Sequence, residues 1–358
     1  MRRWSSLLLL GSAALLVAGC EKPPMDSVQR GYRGLGMVEI FNPTIQAELV
    51  AVNQPPAPLP PAAPGSPPAK TVFKNLQVLG DFSVNELLRQ MAAQATWVTG
   101  NPAGCTYCHA DNGDLSLDVK YTKIVARRML QMTQHINADW KNHVAVANVG
   151  VTCWTCHRGQ PVPKDIWFTD PGPKTASGPL GDRAGQNAAA PAVGYASFPY
   201  DPLTPFLSQA NDIRVTGAQP LPHGNHQSIK QAEWTLGLMM NISGALGVNC
   251  TYCHNSRSFA DWQASTPQRT TAWYGIRMSR DLNNNYMEPL KTVLPAARLG
   301  PTGDVPKIGC TTCHQGVYKP AFGAQMVKDY TLLLQPTAST PSQPAVPVAQ
   351  VAKVAAKK

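Results

Sequence analysis

No apolar run in these 358 residues reaches the roughly 18 that a spanning helix needs, which excludes a multi-span membrane protein. Charge is sparse. Only 15% of residues are charged, and 21 acids face 31 bases for a formal net charge of +10. Runs of alternating apolar and polar residues are missing, which argues against a large half-buried sheet. Histidine is scarce, with eight. Proline and glycine are in surplus, 33 and 28 residues. That is too little for a fibrous repeat but enough for long irregular segments.

The N-terminus carries Arg2 and Arg3, then a mostly apolar stretch from Leu7 to Ala18. A charged start followed by a short apolar core is a secretory signal. It closes on Leu16-Val17-Ala18-Gly19-Cys20, which resembles the bacterial lipobox. The resemblance implies cleavage before Cys20 and a diacylglyceryl thioether on it. Two or three acyl chains, at about 0.8 kcal/mol per buried CH₂, hold a protein firmly to a bilayer. The mature chain is thus expected on the periplasmic face of the bacterial inner membrane, lipid-anchored.

Apart from Cys20, every cysteine falls into a C-x-x-C pair followed at once by histidine. The four motifs are Cys105-Thr-Tyr-Cys108-His109, Cys153-Trp-Thr-Cys156-His157, Cys250-Thr-Tyr-Cys253-His254 and Cys310-Thr-Thr-Cys313-His314. C-x-x-C-H is the attachment signature of c-type haem. Two thiols three positions apart reach the two vinyl groups of one porphyrin, and the adjacent histidine binds its iron. Disulfides suit an exported chain, zinc takes paired C-x-x-C units, and redox pairs use C-x-x-C. None of these explains a histidine after every pair. Four covalently bound c-type haems are therefore expected. Their propionates offset the basic chain, so its charge does not call for nucleic acid.

Two similar blocks run from about 80 to 163 and from about 226 to 320. Each places Leu-x-x-Met (Leu88 to Met91, Leu236 to Met239) before Cys-Thr-Tyr-Cys-His. Each then shows an Arg-Met pair (Arg128-Met129, Arg277-Met278) and ends in Cys-His-x-Gly (Gly159, Gly316). An internal repeat follows. The expected fold is mainly α with extensive coil, a multihaem cytochrome c built from two pseudo-repeated two-haem units. The expected divisions are a signal peptide (1–19), a lipid-anchored segment with a Pro-rich strap (20–79), a first two-haem unit (80–163), a connecting segment (164–225), a second unit (226–330) and a mobile tail (331–358). Ser83-x-x-Glu86 and Ser228-x-x-Gln231 are capping-box signatures that open helices. Thr266-Pro267 predicts a helix start through Met278. The stripe Val125, Met129, Met132, Ile136, Trp140, His143 predicts one long helix.

Each iron needs a sixth ligand, and methionine there raises the potential relative to a second histidine. Met91, Met129 and Met239 lie on apolar helical stripes ahead of a motif. A methionine on such a stripe is most often core packing, but Met91 and Met239 recur at equivalent places in the repeat. Met240 competes with Met239, because Gly237, Gly244 and Gly247 would let a ring approach its side. His143 follows Met129 by 14 residues. At about 100° per residue that returns it to within about 40° of the same face, about 21 Å along a continuous helix. One helix could then serve two haems. His135 faces away, and His223 and His226 sit in a Pro/Gly loop. For the fourth iron the repeat nominates Met278.

Four C-x-x-C-H motifs in two blocks, a lipobox, Gly31-Tyr-Arg-Gly-Leu35 and Ala126-Arg-Arg-Met129 together resemble the tetrahaem cytochrome c subunit of purple-bacterial photosynthetic reaction centres. Cys153 to Gly159, Ser265 to Arg269 and Trp273 to Arg277 add to the likeness. The resemblance covers about residues 20 to 330. It implies Met91, Met129 and Met239 as sixth ligands of the first three haems and His143 for the haem of His314. It implies an electron-transfer protein rather than an enzyme, docked on the L and M subunits of a complex that also holds the H subunit. There it re-reduces the photo-oxidised bacteriochlorophyll pair. Its donors would be soluble periplasmic proteins, a cytochrome c or a high-potential iron–sulfur protein. Two other classes stand beside this. A multihaem enzyme needs an iron with an open position, and four sixth ligands leave none. A lipid-anchored carrier of a respiratory chain would differ only in its partner, and co-extraction with bacteriochlorophyll separates the two.

Overall fold

The computed structural model describes residues 25–29, 37–144, 149–172, 188–213, 215 and 229–335. The signal peptide, Cys20, Gly31 to Leu35, His223, His226, Ser228 of the second capping box and residues 336–358 lie outside the described residues.

Strand is confined, among the described residues, to two antiparallel pairs: β1 (Asp26–Gln29) with β2 (Val38–Phe41), and β3 (Ala188–Ala190) with β4 (Ala196–Phe198). The rest is helix, turn and coil, as composition predicts. The helices that matter are α1 (Pro43–Val52), α2 (Val84–Thr99), α3 (Tyr121–Asp139), α4 (Cys153–His157), α5 (Ile229–Leu246), α6 (Pro267–Leu282) and α7 (Cys310–His314).

Helix α2 starts as its sequence dictates. The Ser83 hydroxyl accepts from Glu86 N–H while the Glu86 carboxylate accepts from Ser83 N–H, at 3.3 and 3.1 Å. It stops at Gly100, whose φ of 69° is left-handed and suits glycine. Helix α6 starts at Pro267 as predicted. It runs into a π-helical turn, Asn283–Met287.

The expected long helix is cut short. Helix α3 ends at Asp139, and Trp140 leaves helical geometry at φ −99°, ψ 35°. The Trp140 carbonyl then accepts both His143 N–H and Val144 N–H, at 2.9 and 2.8 Å, closing a turn. The Trp140 indole N–H donates to Asp281 on α6 at 2.9 Å, a tertiary bond that outweighs the helical pattern. Met129 and His143 therefore do not share a continuous helix, and the phase argument for His143 does not hold.

Among the described residues, three apolar clusters form the core. The first joins Leu87, Ala93 and Trp97 of α2 to Leu130, Trp154 and the C-terminal Met326, Val327, Tyr330, Leu332 and Leu333. Residues 331–335, expected as the start of a mobile tail, are thus packed. Leu332 and Leu333 are buried, and their carbonyls accept from Gln134 and Asn137 of α3 at 3.0 and 2.9 Å. The second cluster packs the C-terminal half of α3 on α6 and on residues up to Ile308. The third sets Leu203, Phe206 and Leu207 against Leu238 and Ile242 of α5 and Ile276 of α6. These three come from the connecting segment, whose sequence shows no periodicity. Burying each is worth about 1.5–3 kcal/mol, so part of that segment is core.

Helix α2 presents apolar residues on two sides. Leu87 and Trp97 enter the core. Leu88, Met91, Ala95 and Val98 line an open cavity, which leaves Leu88 48% exposed. A helix that is apolar on both sides needs a second partner besides the protein core.

Candidate haem-binding site

The four motifs take two shapes, sorted by the residue before the second cysteine. Where it is tyrosine, the motif is a 3₁₀ turn: Gly104–Tyr107 and Cys250–Tyr252. In both, the histidine N–H donates to the first cysteine's carbonyl at 2.9 Å. In both, a threonine hydroxyl at the start of the next helix donates to the tyrosine carbonyl at 2.6 Å, Thr122 to Tyr107 and Thr266 to Tyr252. Where it is threonine, the motif is a five-residue α-helix, α4 or α7. The hydroxyl of Thr155 or Thr312 accepts the N-cap amide, at 3.1 and 3.0 Å, which a phenol cannot reach. Arg158 and Gln315 end these helices at φ 51° and 49°. In either shape, positions i and i+3 share a side, so each cysteine pair points one way.

The glycines after α4 and α7 explain the shared Cys-His-x-Gly. Gly159 N–H donates to Trp97 O of α2 and Gly316 N–H to Ala245 O of α5, both at 2.8 Å. Their partners are Gly100 and Gly247. A Cβ on Gly100 would stand 2.9 Å from Gly159 O, and one on Gly247 would stand 2.1 Å from Gly316 O. Gly247 therefore serves backbone contact rather than a ring beside Met240. Gly237 packs on Pro202, 3.0 Å from its own would-be Cβ. Met91 and Met239 each lie six residues before the accepting carbonyl. Met239 is half-buried against the third cluster, whereas Met240 is exposed. Met278 is core, packed in the second cluster.

The motif histidines are prepared as neutral ligands. Nδ1–H of His157, His254 and His314 donates to the backbone carbonyls of Gln160, Phe259 and Val317, at 2.9, 2.9 and 3.0 Å. That fixes the tautomer and leaves the Nε2 lone pair for a metal. His143 follows the same rule, with Nδ1 on Thr271 O at 2.9 Å. In His109, Nδ1 is buried without a hydrogen bond of good geometry. Burial lowers the pKa of all five, and in His314, where the neighbouring His143 adds to it, the value falls to about 4. His135 is different. Both its nitrogens donate to carboxylates, Asp139 and Asp281, at 2.6 Å each. Burial opposes its charge, but Asp281 and Asp139 together raise its pKa. Both of its ring nitrogens are taken up by protein partners.

Three of the thiols are poor redox nucleophiles. All eight are free. Burial pushes Cys153 and Cys310 up to about 12 and Cys253 up to about 11, the reverse of a reactive C-x-x-C pair.

One mostly apolar cavity of about 1000 Å³ is shared by the first two motifs. Cys105, Cys108, His109 and Met91 line it beside Cys153, Cys156, His157 and Met129. Its size, apolar walls, paired thiols and neutral imidazoles fit a porphyrin. Farther on, Cys156 Sγ lies 2.7 Å from Cys313 Sγ, and Cys310 packs in the third cluster with Met239. The His143 and His314 rings stand 6.1 Å apart between centroids. Gly275 of α6 makes room for His143, since a Cβ there would lie 2.5 Å from its Cε1. Sequence reasoning missed Gly275 and the Gly100 contact. A lone helical glycine among Trp273-Tyr-Gly-Ile-Arg277 was the available signal.

Thiol pairs with adjacent neutral histidines around an apolar cavity define a c-type cytochrome with covalently bound haem. The model of the family described as photosynthetic reaction centre cytochrome C subunit matches residues 21–334. The photosynthetic reaction center cytochrome c subunit of Rubrivivax gelatinosus is 56% identical over 329 residues, covering 92% of this chain and 88% of that one. Its counterpart in Thermochromatium tepidum is 54% identical over 318 residues, covering 89% and 77%. That of Roseobacter denitrificans is 40% identical over 335 residues, covering 90% and 89%. The chain belongs to the family of photosynthetic reaction centre cytochrome c subunits. It is an electron-transfer partner of the reaction centre, associated with the photosynthetic membrane. No helix among the described residues is long and apolar enough to cross that membrane.

Proposed function

We propose that the chain carries four haems and re-reduces the photo-oxidised bacteriochlorophyll pair from the periplasmic side. Each haem supplies a one-electron store whose potential its axial ligands set. The ligand pairs are Met91 with His109, Met129 with His157, Met239 with His254, and His143 with His314. The observation that carries the reading is the His143–His314 separation of 6.1 Å. With metal–nitrogen bonds of about 2.0–2.1 Å, an imidazole centroid stands about 3 Å from its metal. Two imidazoles on opposite sides of one metal would therefore lie about 6 Å apart. The Nδ1 bonds of both rings, to Thr271 O and Val317 O, turn Nε2 toward that role. Met278, the rival nominated by the repeat, is occupied in core packing.

The two-unit organisation rests on matched details. Leu88 and Leu236 are each 48% exposed three residues before Met91 and Met239, and the glycine junctions and threonine caps recur. Neighbouring contacts then order the attachment sites as first, second, fourth, third: the common cavity joins the first two, the approach of Cys156 to Cys313 joins the second to the fourth, and the packing of Cys310 and Met239 on one cluster joins the fourth to the third. The units are 80–163 and 226–330, joined by 164–225. A lipid on Cys20 holds the chain to the membrane. The L and M subunits receive it, in a complex with H, and a soluble cytochrome c or high-potential iron–sulfur protein reduces it.

Haem content and near-infrared spectra of the oxidised, purified protein test this. Four haems per chain, three showing the Met–Fe(III) charge-transfer band and one without it, are expected. Two haems, or four with that band, would overturn the assignment.

A further inference from the structure

The turn that carries His143 is gripped by α6 at both of its ends. At the His143 end, Thr271 O accepts from Nδ1 at 2.9 Å. One turn farther along α6, Gly275 faces the ring. A Cβ there would lie 2.5 Å from Cε1, 2.9 Å from Nδ1 and 3.2 Å from Nε2. Glycine is poor inside a helix, so its presence at a buried helical position marks a close approach. At the other end, Asp281 Oδ2 accepts from the Trp140 indole at 2.9 Å and from His135 Nε2 at 2.6 Å. Its Oδ1 accepts from Asn285 in the π-helical turn at 2.5 Å. His135 Nδ1 donates to Asp139 at 2.6 Å, and its ring stacks on Tyr286 with centroids 5.2 Å apart. His135 is 1% exposed and Trp140 3%, so the network has little water to replace a lost partner. The Trp140 carbonyl then holds the turn by accepting from His143 and Val144 N–H.

We propose that Asp281 and Gly275 are positioning residues that make His143, rather than Met278, the sixth ligand of the iron on His314. The inference rests on the His143–His314 reading above. Asp281 pins the start of the turn through Trp140 and His135. Gly275 leaves the space into which the ring settles, and Thr271 fixes its rotation. Met278 lies one turn beyond Gly275 and stays in the core while the ring keeps its place. The choice of a block-one ligand for a block-two motif thus comes from α6, which departs here from the repeat.

The test uses the full-length holoprotein and reads the four ligand sets by near-infrared and electron paramagnetic resonance spectroscopy, with a redox titration. Gly275→Ala should abolish the bis-histidine signal and leave the three methionine-ligated haems intact. Trp140→Phe keeps an aromatic ring in the core, though a smaller one, and removes the indole donor that Asp281 Oδ2 and His135 Nε2 face. It should shift or broaden the bis-histidine signal and move the potential of that haem alone. Asp281→Asn should act likewise, with Asp281→Glu restoring part of the effect. If Gly275→Ala does not assemble, Trp140→Phe decides. Lowered thermal stability with an unchanged bis-histidine signal and potential would make these residues structural only and overturn the proposal. A wild-type protein without a bis-histidine haem, or one whose ligand sets survive His143→Ala, would instead overturn the underlying ligand assignment.

Discussion

Gly247→Ala is the most informative stability perturbation, because its cost follows from two distances. Gly247 sits at φ +63°, and a Cβ there would stand 2.1 Å from the Gly316 carbonyl oxygen. Left-handed geometry costs a non-glycine residue about 1–2 kcal/mol. The collision is with backbone, so no side-chain rotation relieves it. Parting α5 from α7 to make room would stretch the bond from Gly316 N–H to Ala245 O, now 2.8 Å. Leaving those groups unpaired costs about 1–3 kcal/mol. The sum is about 2–5 kcal/mol, a Tm lowered by roughly 4–20 °C at the slope of a large domain. Gly316→Ala is the control. Its φ is +84°, but its Cβ would meet only Leu49 Cδ2 at an ordinary 3.6 Å, so about 1–2 kcal/mol is expected. Thermal unfolding of the purified holoprotein, followed by far-ultraviolet circular dichroism, measures both. The reasoning is refuted if Gly316→Ala costs as much as Gly247→Ala.

Met129→His should lower the potential of the haem on His157 by something on the order of 100 mV, within the roughly 0.8 V that axial ligands span; an unchanged titration would make Met129 core packing. Cys20→Ser should abolish acylation and release much of the cytochrome from membranes, read by mass spectrometry of the N-terminal peptide and by fractionation. The His135–Asp281 contact should depend on pH in a defined window. His135 has a raised pKa, so its contribution is complete below about 6.5 and fades as pH climbs through the folded value. In Asp281 burial raises the pKa, but the bonds from His135, Asn285 and Trp140 bring it below the ordinary value, so its contribution holds above about 4 and fades as pH falls through the folded value. The Tm difference between wild type and Asp281→Asn should therefore be largest between those limits and narrow as pH climbs through the raised pKa of His135; a gap that widens steadily with rising pH contradicts this.

Local chemistry was legible in the sequence wherever one residue type has one structural use. Ser83 with Glu86, and Thr266 with Pro267, mark helix starts, and the structure puts them there. The four C-x-x-C-H motifs were legible for the same reason. Burial direction was not. On α2, Leu88, Met91, Ala95 and Val98 line the cavity, while Leu87 and Trp97 are buried in the first cluster. An apolar pattern cannot tell a protein core from a space shaped for another apolar body. Tertiary contacts were the other blind spot. Trp140 fits the helical stripe of α3, yet its bond to Asp281, 141 positions away, ends the helix. Phe206 and Leu207 lie in an aperiodic segment, yet they complete the third cluster. His143 was nominated by the family resemblance and supported by the phase of a helix that stops short of it; its ring comes to lie beside that of His314 from the turn, over Gly275, instead.

Flash-induced absorbance changes in isolated membranes, poised so that the haems begin reduced, test the central claim most directly. The account predicts that a saturating flash oxidises a c-type haem with the same time course and amplitude as the bacteriochlorophyll pair regains its electron. Recovery of the pair by charge recombination alone, with every haem still reduced, would contradict it.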